Sequence, residues 1–358
     1  MKAGVLFIFQ NHSKTVSDKE VWDDQLYLSE LAEPLGFDSV WATEHHFSNY
    51  EVTPDPTQYL TWVAARSEQI ELGTEVIVLP WHQPIRAIEE VALLDVISNG
   101  RLILGMGRGA ARREFAGFQV PMSESRQRFL ESADLFVRSL ESGWVEYDGE
   151  IIKQPRTELR PRPFKSFEGR TYCAAISPET YDIIAGLGLG LLINPQKPWP
   201  QILQDLETYR GAYQRANGTA APPPILTSFT YVHPDPDHVK EMVRKYMGFY
   251  YGTAMEHYEL AGSHFRDIKG YEFYGNIADA LTRAGDDGGA AFYCSLQPWG
   301  TPDQTIEKIL DLQKKTGAQH ISFVFAYGGM PTADVEASMR LFAQEVLPAI
   351  KAGAVAVA

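Results

Sequence analysis

The chain has 358 residues, 44% of them hydrophobic, enough to bury the core of one large domain or two ordinary ones. Its 46 acidic against 32 basic residues leave a net charge of −14, which opposes attraction to phosphate backbones and anionic lipid and argues against nucleic-acid or membrane partners. Two cysteines, Cys173 and Cys294, make neither a disulfide framework nor a metal-ligand set, and the opening Val5 to Phe9 reads as a strand instead of a signal peptide, so a cytoplasmic protein is expected.

Apolar strand-like runs alternate with amphipathic helical stretches from end to end, the pattern of βαβ units on a parallel sheet. The first strand is expected over Ala3 to Phe9 and its helix over Val21 to Leu35. The second strand, Ser39 to Ala42, runs straight into Glu44-His45-His46. Ionisable groups just past a strand's C-terminal end stand where barrel enzymes keep their chemistry. Neighbouring residues of an extended segment point to opposite sides, so one imidazole faces a substrate and the other anchors the strand end. An ordinary polar strand exit is the plain alternative. A metal site is disfavoured, because Glu-His-His lacks the helical His-Glu-x-x-His spacing.

A third strand is expected over Ile70 to Leu79, with a helix over Pro84 to Ile97, and a fourth over Leu102 to Met106, with a helix over Ser123 to Leu140. Trp144 to Phe167, turning at Tyr147 to Glu150, reads as a β-hairpin. The fifth strand is Thr171 to Ala175, the sixth Leu187 to Ile193 with a helix over Pro200 to Gln214, and the seventh Ile225 to Val232 with a helix over Pro236 to Phe249. Tyr250 to Pro298 is a long, aromatic, glycine-rich insertion of the kind that forms lids. A helix over Pro302 to Lys315, the eighth strand Ile321 to Ala326 and a last helix from Ala333 to Ile350 complete the order. Eight units predict an α/β fold, a single (β/α)8 TIM-type barrel over 1–352 with a lid at about 250–298 before the last strand and a short tail over 353–358; a doubly wound sheet is the other arrangement compatible with the pattern.

Leu104 to Ala110 matches G-x-G-x-x-A, which could cradle a dinucleotide pyrophosphate. The second strand ending in an acid that such a fold needs is missing, because the region around Glu131 reads as helix. The more economical reading gives Arg108 a phosphate, with glycines allowing a close backbone approach. Ser177 and Thr180 follow the fifth strand at a helix start, where hydroxyls cap the helix or face an anion; together with Arg108 and Arg126 they suit a phosphomonoester. Gly-Lys-Ser/Thr, Gly-x-Ser-x-Gly and paired zinc cysteines are absent.

Gly36-Phe37-Asp38 through Glu44-His45-His46-Phe47, Gly73 to Pro80, Leu94-Asp95 to Arg101, Arg108-Gly109, Ser125-Arg126 and Gly300-Thr301-Pro302 resemble, in order and spacing, the bacterial luciferase family of flavin-dependent monooxygenases, its catalytic alpha chains most of all. The resemblance implies a TIM-type barrel with a long lid that uses reduced FMN from a separate flavin reductase, and O2, to oxygenate a small hydrophobic or aromatic substrate through a flavin C4a-(hydro)peroxide. It also implies a homodimer. Glu44 and His45 fall on the family's acid and catalytic histidine, Val76 on the position whose backbone supports the flavin ring, and Glu75-Val76 on a non-proline cis peptide. Gly107 stands where luciferase has a cysteine and Ile176 where it has an acid. Gly107, Arg108, Ala110, Arg126, Ser177 and Thr180 fall on the FMN-binding positions. An F420-dependent oxidoreductase on the same barrel and a non-catalytic subunit like luciferase's beta chain are the alternatives. An imidazole whose pKa is near the ordinary value of about 6.5 would serve as acid or base at neutral pH.

Overall fold

The computed structural model describes residues 1–11, 13, 16–175, 178–259 and 288–353. Strands β1 (Lys2–Phe7), β2 (Ser39–Ala42), β3 (Glu71–Thr74), β5 (Leu102–Gly107), β8 (Thr171–Ala174), β9 (Gly190–Ile193), β10 (Ile225–Phe229) and β11 (His320–Val324) pair in parallel in that order. The β1–β11 and β3–β5 pairings close the ring into the eight-stranded barrel expected from the alternation. A short β4 (Ile77–Val78) extends alongside the end of β5, and β6 (Trp144–Asp148) and β7 (Lys153–Glu158) form an antiparallel hairpin outside the ring. The strands β2, β5, β9, β10 and β11 are buried along their whole length, as parallel strands covered by helices must be.

Helices start where side chains can satisfy their first amides. Ser17 and Glu20 form a capping box on α1 (Asp18–Ala32), and Asp55 accepts from the Thr57 and Gln58 amides at the start of α2 (Pro56–Ala64). Asp55-Pro56 is an N-cap followed by an N1 proline, the local start signal of this helix. Helix α3 (Pro84–Ile97) carries Asp95, whose carboxylate takes the Arg170 guanidinium at 2.6 Å and the Phe164 amide at 2.9 Å. This part of the luciferase-like pattern therefore clamps the chain returning from the hairpin.

The expected third strand, Ile70 to Leu79, is broken in two. A cis peptide joins Glu75 to Val76 between β3 and β4, and β5 comes very close at that break. The Thr74 hydroxyl bonds both the Gly105 carbonyl and its amide at 2.8 Å, and a Cβ on Gly105 would stand 2.0 Å from the Thr74 carbonyl oxygen. Only glycine allows that approach. The expected helix after β10 is longer than read, running over Pro236–Met242, a π-type turn and Gly248–His257, so the first part of the expected insertion is helical. Residues 288–295 are helical too, and 260–287, with Phe273, Tyr274 and Arg283 to Asp287, lie outside the described residues. No helix among the described residues is long and apolar enough to cross a membrane.

Candidate functional site

A cavity of about 620 Å³ opens at the C-terminal ends of the barrel strands. Its lining includes Glu44, His45, Val76, Gly107, Arg108, Ala110, Arg126 and Thr180 of the residues singled out from sequence, contributed by three strand ends and two helix starts. Ser177 lies outside the described residues. A second cavity of about 560 Å³ sits at the opposite end, around Lys2, Asp38 and Arg170, away from the face where barrels of this kind keep their chemistry.

His45 and His46 do point apart. His46 turns outward, packs its ring against Trp81 and Phe118 at centroid distances of 5.4 and 4.6 Å, and places Nε2 3.1 Å from Glu44. His45 turns into the cavity, with Nδ1 3.0 Å from Oε1 of Glu114 and Nε2 3.2 Å from the Tyr258 hydroxyl. Glu114, on the short helix α4 (Arg112–Gly117), also accepts the His46 amide at 2.8 Å and lies 3.4 Å from Nε2 of His257. Glu51 stands 3.8 Å from Nε2 of His45 and accepts from the Thr43 hydroxyl.

This surrounding changes what His45 is. Burial alone would lower its pKa, but Glu51, Glu114 and Glu44 overcome that and push it up to about 9. The reciprocal effect falls on Glu114: burial opposes its charge, yet the His45 charge and bonds from His257 and His45 hold it down to about 2. Burial takes Glu51 the other way, up to about 7, against His45 and Thr43. His45 is thus an imidazolium at neutral pH, a held proton instead of the near-neutral imidazole expected from its ordinary value. Glu44 does a different job. Its oxygens take the Val78 amide at 2.8 Å, His82 at 2.8 Å and His46 at 3.1 Å, and these contacts hold its carboxyl below the usual range despite burial. It pins β4 and the strand exit together, a positioning role.

Another stretch of the wall, past the end of β5, carries Arg108 and Arg126. The register Met106↔Cys173 puts Arg108, two residues on, at the end of β8, ahead of α6 (Pro178–Gly186). Its charge reaches Cys173, whose thiol burial pushes up to about 12 against the guanidinium. Thr180 stands in the first turn of α6 and Arg126 in the first turn of α5 (Ser125–Ser142), so two helix N-termini and two guanidiniums line this wall, a combination suited to a phosphate. A Cβ on Gly107 would come 2.4 Å from Cγ2 of Val76, so this glycine leaves room for the Val76 side chain against the end of β5. A mainly apolar cavity of this volume, with Val76 packed on Gly107 and an anion-suited wall at one end, fits a flavin mononucleotide.

Sequence reasoning missed Glu51, Glu114 and His257. Glu114 is 69 residues from His45 in the chain, on a helix of one and a half turns without a start signal, and nothing in the local pattern marks it.

A family model described as luciferase-like monooxygenase matches residues 1–320. The alkanal monooxygenase alpha chain of the Kryptophanaron alfredi symbiont is 27% identical over 352 residues, 96% of this chain and 97% of its own. The oxygenase component of a flavin-dependent trigonelline monooxygenase from Acinetobacter baylyi is 28% identical over 228 residues, covering 62% and 63%. Among solved structures, monooxygenase RslO1 from Streptomyces bottropensis aligns with a TM-score of 0.78 and 27% identity over 97% of this chain and 99% of its own. Two more distant structures share the fold: the FMN-bound oxygenating constituent of 3,6-diketocamphane monooxygenase from Pseudomonas putida, with TM-score 0.74, 18% identity and coverage of 97% and 98%, and an F420-dependent secondary alcohol dehydrogenase, with TM-score 0.72, 15% identity and coverage of 98% of both chains.

Proposed function

The chain belongs to the luciferase-like monooxygenase family, and from that premise we propose that it is the oxygenase component of a two-component system, receiving reduced FMN from a separate flavin reductase and using O2 to oxygenate a small organic substrate. The observation that carries this reading is one cavity that brings together a phosphate-suited wall at Arg108, Arg126 and Thr180 and a proton-loaded His45. The name of the trigonelline relative, an oxygenase component, supports the two-component arrangement.

Reduced FMN, when bound, supplies the electrons that activate O2. Arg108 and Arg126 would hold its phosphate by charge-assisted bonds, with the α6 start and Thr180 beside them, and Val76 and Gly107 would bound the ring; Ser177, which the family resemblance adds to the phosphate contacts, lies outside the described residues. His45 keeps a proton on Nε2, facing the cavity beside Tyr258, and releases it where the oxygenation consumes one. Glu114, as its charged partner at Nδ1, fixes the ring's orientation and keeps the proton in place between turnovers. Glu44 holds the strand exit on which His45 rides. Tyr50, Tyr250, Tyr258 and Tyr293 wall the same space, with the Tyr50 and Tyr250 hydroxyls 2.6 Å apart, and keep bulk water from the reacting face. Homodimerisation belongs to the same proposal: Leu93, Val96 and Ile97 leave an apolar stripe exposed on α3.

Anaerobic titration with reduced FMN and, separately, with reduced F420 tests the cofactor. Saturable binding of reduced FMN and none of reduced F420 is expected; the reverse order would establish the F420-dependent alternative.

A further inference from the structure

Within the same cavity one carboxyl group meets no protein cation among the described residues. Glu51 stands 3.8 Å from the imidazole of His45, and Glu44 and Glu114 each meet an imidazole. Glu75 does not. Its two oxygens accept separately from the hydroxyls of Thr227 and Ser322, the latter at 2.6 Å, and no Lys, Arg or His among the described residues pairs with it. Thr227 stands on β10, four strands round the ring from β3, so the Glu75 side chain crosses the barrel centre and forms the cavity floor. It keeps part of its surface open to that space, whereas Glu44 and Glu51 are each 2% exposed.

An aromatic wall rises directly beside this floor. Phe229 follows Thr227 by two residues on the same face of β10, and both line the cavity. The Phe229 ring lies 4.4 Å from that of Tyr250 and 5.7 Å from that of Tyr293. Hydroxyl donors on both oxygens favour the ionised carboxylate, while burial without a counter-ion disfavours it and pushes the empty site's acid up to about 8. A cation seated between the carboxylate and the ring faces resolves that conflict, with a cation–π contribution from the wall.

We propose that the cavity selects substrates bearing a positively charged nitrogen, a protonated amine or an N-alkylated heteroaromatic ring, with the Glu75 carboxylate as counter-ion and Phe229, Tyr250 and Tyr293 as the surrounding wall. The inference rests on the reading of this cavity as the substrate site. It goes beyond the hydrophobic or aromatic substrate implied by the family resemblance, because it assigns the charge.

The test uses the full chain and a matched pair of probes, benzyltrimethylammonium and its neutral isostere neopentylbenzene, titrated calorimetrically at neutral pH. The wild type should bind the cation at least tenfold more tightly than the isostere, a ratio equivalent to about 1.4 kcal/mol. Glu75→Gln, checked for a native thermal melt, should erase the preference, and Thr227→Val, which leaves the carboxylate and removes one donor, should reduce it. Equal affinity for the two probes in the wild type overturns the proposal without need of any variant, as does a preference that survives in folded Glu75→Gln. Reduced FMN binding to the wild type is measured in parallel. Its absence would refute the flavin reading, and because the probe comparison requires no flavin the two failures are distinct.

Discussion

Replacing Glu114 by glutamine removes the charge that holds the His45 proton but preserves the side chain's length and an acceptor for the His46 amide, 2.8 Å away. The pKa of His45 stands at about 9 against an ordinary 6.5, and at about 1.36 kcal/mol per pKa unit that rise of about 2.5 units is a net preference for the charged ring of roughly 3 kcal/mol. Glu114 contributes both a charge and a direct bond at 3.0 Å, while Glu51 and Glu44 remain. Losing it should bring His45 down by at least about one unit, so that at about pH 8 the ring goes from roughly ten-to-one protonated to half protonated or less. Carbon-detected NMR of the imidazole reads the titration directly, and the alkaline limb of coupled product formation should move to lower pH by the same amount. Stability gives an independent sign. A proton bound more tightly in the folded state stabilises it fully below pH 6.5, and that contribution is lost as the pH rises through about 9. In Glu114→Gln the loss between those values should be smaller. A His45 titration unmoved by the substitution would refute the assignment of Glu114 as its charge partner.

Arg108→Ala and Arg126→Ala should each weaken reduced FMN by about 10- to 150-fold, the loss of one charge-assisted contact of about 1.5 to 3 kcal/mol, and weaken reduced riboflavin far less; equal weakening of both would place the phosphate elsewhere. His45→Ala should fold and still bind reduced FMN but lose about 100- to 10,000-fold in oxygenated product, with oxygen diverted into free hydrogen peroxide. Coupled turnover within a few-fold of wild type would move the proton-holding role to another group. Gly105→Ala forces a Cβ to within 2.0 Å of the Thr74 carbonyl and should cost about 1 to 3 kcal/mol in chemical denaturation, as overpacking does; a cost below that range would mean the strand ends separate easily. Purified protein with NADPH alone should not turn over until a flavin reductase is added.

The barrel was readable because each of its strands is a short apolar run set off by a helix-period stretch, and that alternation leaves few topologies open. The break in the third strand was legible only through the family resemblance, which places a non-proline cis peptide at Glu75-Val76; the pattern of Ile70 to Leu79, where Glu71, Thr74 and Glu75 interrupt the apolar residues, does not mark it. Arg126, at a helix start, was legible through the family resemblance, whereas the strand-exit histidines and Arg108 were readable because they interrupt apolar runs at the end of a strand, where exposure to the barrel mouth is the default. Their charge state was not. It depends on Glu51 and Glu114, acids that folding alone brings to His45, and Glu114 reaches it from a helix that local pattern does not announce. The acidic residue beside the histidine, Glu44, was recognised by position but not by task, because adjacency in sequence does not show that its oxygens are consumed by His46, His82 and the Val78 amide.

The central claim is that this barrel protects oxygen activated by reduced FMN long enough to deliver it to a substrate. Rapid mixing of the anaerobic complex of protein and reduced FMN with oxygenated buffer, following hydrogen peroxide release in time, tests it most directly. Release at least tenfold slower than from free reduced FMN under the same conditions, and slower in wild type than in His45→Ala, is expected; release as fast as from free flavin would contradict this function.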